Sequence, residues 1–174
     1  MEPMLRPVAV ATFAVCITWG CLGTVPEPGM PPGEPSPLFN GYQSYQTLDE
    51  VKARLPDRAG WRIVHDMKKP ARGRCPRFDE LIFAVPAEHL GYKGQLELTF
   101  INDHLKATSF TPQDVPAYLD ALRLSGMVFQ ADGRATIPPA TRVSQASVDG
   151  SPRLIAWDDE RFASEVSAWT SSCS

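Results

Sequence analysis

Residues 95–110 constrain this chain most, because an alternating pattern runs into Asn102-Asp103 and back out again. Both turn residues tolerate positive φ, which suits a two-residue primed turn and fixes the hairpin register. In that register Ile101 faces His104, Phe100 faces Leu105, Leu98 faces Ala107 and Leu96 faces Ser109. Those pairs are mostly apolar, whereas Thr99 with Lys106 and Glu97 with Thr108 are polar. A slip of one residue would send the apolar side chains to the wrong face, so pattern and turn agree.

The surrounding segments extend this hairpin into a larger sheet. Residues 61–67 and 78–85 read as strands, the second alternating Leu81, Phe83 and Val85 against Glu80, Ile82 and Ala84. Further strands are expected at 127–130 and 134–137 around Asp132-Gly133, and at 142–148 and 153–157 around Asp149-Gly150. Three helices punctuate them. Thr47 and Glu50 form a capping box for a helix at 47–55, with Leu48, Val51 and Leu55 on one face and Pro56 as its stop. Asp114 caps a helix at 115–125 whose stripe is Val115, Tyr118, Leu119 and Leu122, ended by Gly126. The last helix begins near Asp158 or Asp159 and buries Phe162, Val166 and Trp169. Links this short leave no room for parallel crossovers. The expected fold is α+β, a single domain with a meandering antiparallel sheet and three helices on one face.

Ahead of this domain, residues 7–20 form an apolar run of 14 residues. A membrane-crossing helix needs about 20, so the run reads as the core of an export signal. Arg6 supplies the positive charge before it, opposed by Glu2. The run ends in Gly20-Cys21, which resembles the lipobox of bacterial lipoproteins, although that family prefers Leu where Thr18 stands and a small residue where Trp19 stands. The resemblance covers the leader alone. It implies that residues 1–21 are a signal peptide with a lipobox-like end, that Cys21 becomes the lipid-modified first residue of the mature chain, and that this chain is anchored to the membrane of a cell envelope. Other readings are a cut after Gly23 that releases a soluble exported or periplasmic protein, an uncleaved anchor, and a cytosolic chain with an apolar start.

Residues 22–40 carry Pro26, Pro28, Pro31, Pro32, Pro35 and Pro37 among glycines, which cannot sustain a helix or a central strand. The stretch reads as a tether, reaching roughly 50 Å if extended as polyproline, or as a tail with no role. Residues 41–174 then make one domain large enough to bury a core.

Cys16 lies in the leader and Cys21 is the lipid candidate, which leaves Cys75 and Cys173 in the folded part. Two thiols in an oxidising compartment pair. In a reducing one they stay free.

The net charge of −3 supplies no field to gather nucleic acid. The basic run Lys68, Lys69, Arg72, Arg74 and Arg77 reads as a solvated loop or as a contact for anionic lipid or phosphate. His65, His89 and His104 stand apart without metal-ligand spacing, and no phosphate loop or other cofactor motif is present, so no metal and no cofactor is expected. His65-Asp66 and Asp103-His104 put a carboxylate beside an imidazole, but strand neighbours point to opposite faces and turn pairs are solvated. No serine sits in a nucleophile elbow. Asp158, Asp159 and Glu160 suit a helix N-terminus better than a cation.

Most aromatic residues fit a core between sheet and helices. Phe39, Tyr42 and Tyr45 lie in polar sequence, and either pack back on the domain or offer a partner surface. The leading expectation is thus a tethered envelope protein whose sheet or aromatic segment binds another envelope protein or a cell-wall component, and which is not an enzyme. The alternative is a small exported hydrolase with a site assembled across strands around His65 or His104.

Overall fold

The computed structural model describes residues 25–29, 33–55, 60–148 and 151–173. The leader, Cys21, Pro56 and the Asp149-Gly150 turn lie outside the described residues. Among the described residues seven strands form one antiparallel sheet: β1 (Arg62–Lys69), β2 (Phe78–His89), β3 (Tyr92–Ile101), β4 (His104–Pro112), β5 (Arg134–Ile137), β6 (Thr141–Val148) and β7 (Ser151–Asp159). Three helices accompany them: α1 (Leu48–Arg54), α2 (Val115–Leu124) and α3 (Glu160–Cys173).

The sheet is not one continuous meander. Its order is β1-β2-β3-β4-β7-β6-β5, so the chain leaves β4 through α2, lands on the far edge and returns strand by strand. Residues 127–130 are not a strand, contrary to expectation. Val128 points into solvent at 80% exposure while Met127 and Phe129 pack on the core, and β5 pairs with β6 instead.

The expected turn forms at Asn102-Asp103, with φ of 48° and 68°. Ile101 opposes His104 and Phe100 opposes Leu105, after which a bulge around Lys106 shifts every partner by one. Thr99 therefore opposes Ala107, Leu98 opposes Thr108, and Leu96 opposes Phe110 rather than Ser109. The extra residue has a clear physical return. It turns Phe110 into the core, where it is fully buried, and an aromatic side chain there contributes roughly 2 to 3 kcal/mol that Ser109 would not. Lys106 is partly buried, 3.7 Å from Asp158.

Helix signals act as the sequence implies. Thr47 and Glu50 close the capping box on α1, and Asp114 accepts a 3.0 Å hydrogen bond from the backbone of Ala117 at the start of α2. Gly126, with φ of 99°, follows the end of that helix. Asp159 accepts from the backbone N–H groups of Arg161 and Phe162, and so caps α3.

The three helices do not share one cluster. Val51 of α1 and Tyr118, Leu119 and Leu122 of α2 pack with Phe83, Leu98, Phe100, Phe110, Val143, Ile155 and Trp157. Phe162 and Trp169 of α3 instead bury against Phe78, Ile101 and Tyr45. Ile101 follows Phe100 on β3, so alternation directs it away from the first cluster. The far end of α3 is fastened by the Cys75–Cys173 disulfide, with Cα atoms 5.7 Å apart and a sequence separation of 98.

The proline-rich segment belongs to the fold where it is described. Pro28 and Gly29 are buried, as are Ser36, Leu38 and Phe39, so these described residues pack on the domain, while residues 22–24 and 30–32 of the expected tether lie outside the described residues. Phe39, Tyr42 and Tyr45 keep 1%, 6% and 7% exposure, so they pack back on the domain. Three polar side chains on the sheet receive this segment. Thr108 accepts from the Phe39 backbone, Thr141 donates to the Pro37 carbonyl at 2.6 Å, and Asp159 accepts from Ser44 at 2.7 Å.

Candidate functional site: the β1 edge

β1 is the terminal strand on its side of the sheet, and seven of its eight residues are exposed. Eight residues at about 3.4 Å each present roughly 27 Å of backbone whose outer N–H and C=O groups have no strand beside them among the described residues. The opposite edge, β5, has only four residues. A register shift between Ile63 and His65 places a bulge at Val64. Ile63 and Val64 are 67% and 46% exposed, two apolar side chains displayed together.

A groove of about 370 Å³ lies between this edge and α1, lined by Lys52, Trp61, Arg62, Ile63, Leu81 and Phe83. Its floor is rigid, since Trp61 stacks on Phe83 at 5.6 Å and Phe83 stacks on Phe100 at 5.4 Å. α1 supplies the wall, held by its capping box and by fully buried Val51. The groove is thus apolar with two cations at its rim, and these are the features that anchor an extended segment. A larger depression of about 670 Å³ lies over β2 and β3, where Pro86, Gln95, Thr111 and Pro112 offer no aromatic seat.

The histidines do not converge. His65 Nε2 lies 3.3 Å from Glu80, with Asp66 on the opposite face. His104 Nδ1 meets the Asn102 carbonyl at 2.9 Å. Three strand spacings separate β1 from β4, on the order of 14 Å. His89 Nδ1 meets the Tyr118 hydroxyl at 2.7 Å beside the Phe39 ring, a contact the spacing in sequence gave no sign of. Burial lowers the His89 pKa and raises that of Tyr118, so both are held neutral. Among the described residues no group of three or more His, Cys, Asp or Glu could hold a metal ion, and no helix is long and apolar enough to cross a membrane.

Comparison with protein-family models, with curated proteins and with solved structures finds no match for this chain. Its function is therefore argued from the site alone.

Proposed function

We propose that this chain is an exported binding module, held at a membrane by lipid on Cys21, that takes an envelope protein or a cell-wall component on the β1 edge. The observation that carries the reading is the open edge of β1 beside the Trp61–Phe83 groove. An extended partner would gain backbone hydrogen bonds along the strand and seat an apolar side chain on the indole. Export is supported by the Cys75–Cys173 bond, since disulfides persist in oxidising compartments. The hydrolase alternative is not taken up: neither His65 nor His104 has a hydroxyl or thiol among its described partners.

Metabolic labelling with a fatty acid tests the anchor. Label is expected on the native chain and absent from Cys21→Ser; label that persists in the variant rules out that attachment. A photo-crosslinking residue placed at Val64, with Thr136 on β5 as control, tests the face in cells that make the protein. Adducts at position 64 alone are expected. Equal adducts at both positions, or none at 64, would remove the β1 edge as the binding face.

A further inference from the structure

We propose that the end of β1 and the cysteine loop form a surface that lies on anionic lipid headgroups, beside Val25 at the start of the described N-terminal segment. The inference rests on the anchoring reading above and concerns a different part of the molecule from the groove.

Charge is distributed very unevenly in this chain. The sixteen residues 62–77 hold six of its seventeen Lys and Arg but one of its twenty Asp and Glu, so they carry +5 while the remainder carries −8. Of the nine Lys and Arg elsewhere among the described residues, five pair with acids: Lys106 with Asp158, Arg123 with Asp120, Arg134 with Asp132, Arg142 with Glu160 and Arg161 with Asp159. Lys68, Lys69, Arg72 and Arg74 take part in no ion pair among the described residues. Lys69 sits 5.2 Å over the Trp169 ring, and with Lys68 and Arg72 it rims a depression of about 410 Å³ against the disulfide. The last two turns of α3, which pack here, add no acid.

The N-terminal segment arrives at this same place. Val25 packs on the second cluster with Met67 and Cys173, and Glu27 pairs with Arg77 at 3.0 Å. Asn102 donates to the Pro28 carbonyl at 2.9 Å, which fixes the path. Cys21 stands four residues before Val25, a reach of at most roughly 14 Å. An anchor at Cys21, whether lipid or retained leader, therefore brings these cations within reach of the headgroups. A lipid chain and a basic patch are the two signals whose combination holds a protein firmly at a membrane. The loop is a hairpin-like turn with Arg72 and Cys75 bridged through both backbone hydrogen bonds.

The full chain reconstituted in vesicles of phosphatidylcholine, with or without phosphatidylglycerol, tests this by hydrogen exchange of residues 68–77. Protection is expected only with phosphatidylglycerol, and only at low salt. Each cation near an anionic surface is worth about fivefold in binding, so Lys68→Gln/Arg72→Gln/Arg74→Gln lowers the docked-to-undocked ratio about 100-fold. The Glu versions of the same three exposed positions lower it further, and unchanged exchange in β3 confirms that either variant folds. A chain that floats with both vesicles but shows no protection specific to phosphatidylglycerol overturns the docking surface and leaves the anchor standing. A chain that floats with neither overturns both. Protection by soluble polyglutamate but not by phosphatidylglycerol overturns it in favour of an acidic protein partner.

Discussion

Ser44 donates a 2.7 Å hydrogen bond to the Asp159 carboxylate across 115 residues of sequence, and Asp159 has no exposed surface. The same carboxylate receives Arg161, whose guanidinium reaches on to Ser36 and to the Glu34 carbonyl. One acid thus caps α3, closes β7 and pins the N-terminal segment. Burial alone would raise its pKa, but the hydrogen bonds from Arg161, Ser44 and Ser36 outweigh it and hold the pKa below the ordinary value. Its stabilisation is therefore complete above about pH 4 and lost as pH falls through the lower folded value. Replacing Asp159 by Asn should cost about 3 kcal/mol at pH 7 in urea unfolding, because Arg161 loses its counter-charge. The gap between variant and native chain should narrow toward pH 2.

His89 gives a second acid-sensitive contact with a different window. Its pKa is lowered by burial against Tyr118 and Phe39. The unfolded chain binds that proton near pH 6.5 while the folded chain resists it, so stability is full above that pH and declines as pH falls below it. His89→Gln retains a polar partner for Tyr118 and removes the titration. Thermal unfolding of the variant should show a shallower loss between pH 7 and 5 than the native chain.

Local signals were legible where one residue type has one use. The capping box of Thr47 and Glu50, the Asp114 cap, the Asn102-Asp103 turn and the Cys75–Cys173 pairing follow from short-range chemistry or simple elimination. The groove was not legible, because Trp61 and Phe83 read as core and nothing local says that β1 ends the sheet. The bulge at Lys106 escaped for a related reason: a strict period of two looks more regular than the strand, and only the gain from burying Phe110 breaks it. Thr108 reads as half of a polar pair and Asp159 as an acid at a helix start, yet together with Thr141, which carries no local signal, they serve as sockets for residues 36–44. A polar residue on a strand does not announce whether water or another segment will satisfy it.

The disulfide should govern how the last helix survives. It closes 98 residues, which removes about 4 to 5 kcal/mol of unfolded-chain freedom in the loop-entropy model. Cys75→Ser/Cys173→Ser should lower the urea midpoint, and a reducing agent should shift the native chain to the same value without affecting the variant. Exchange should rise first near Trp169, which stacks on Phe78 and donates to the Pro76 carbonyl beside the bridge.

Gly94 and Gly91 separate two reasons for a glycine within a single hairpin. Gly91 has φ of 81° in the β2–β3 turn, and a methyl group added there would meet nothing. Gly94 lies on β3, where an added Cβ would strike the Thr111 carbonyl and lie 2.8 Å from the Phe110 ring. Backbone strain alone costs about 1 kcal/mol, so Gly91→Ala should be a mild variant. Gly94→Ala has no empty space to move into, because Phe110 is packed by Phe39 at 5.0 Å and Tyr118 at 5.1 Å. It should cost about 3 kcal/mol and shift the aromatic resonances of all three rings. Equal destabilisation of the two variants would show that the close approach of β3 to β4 at this point is not what the glycine serves.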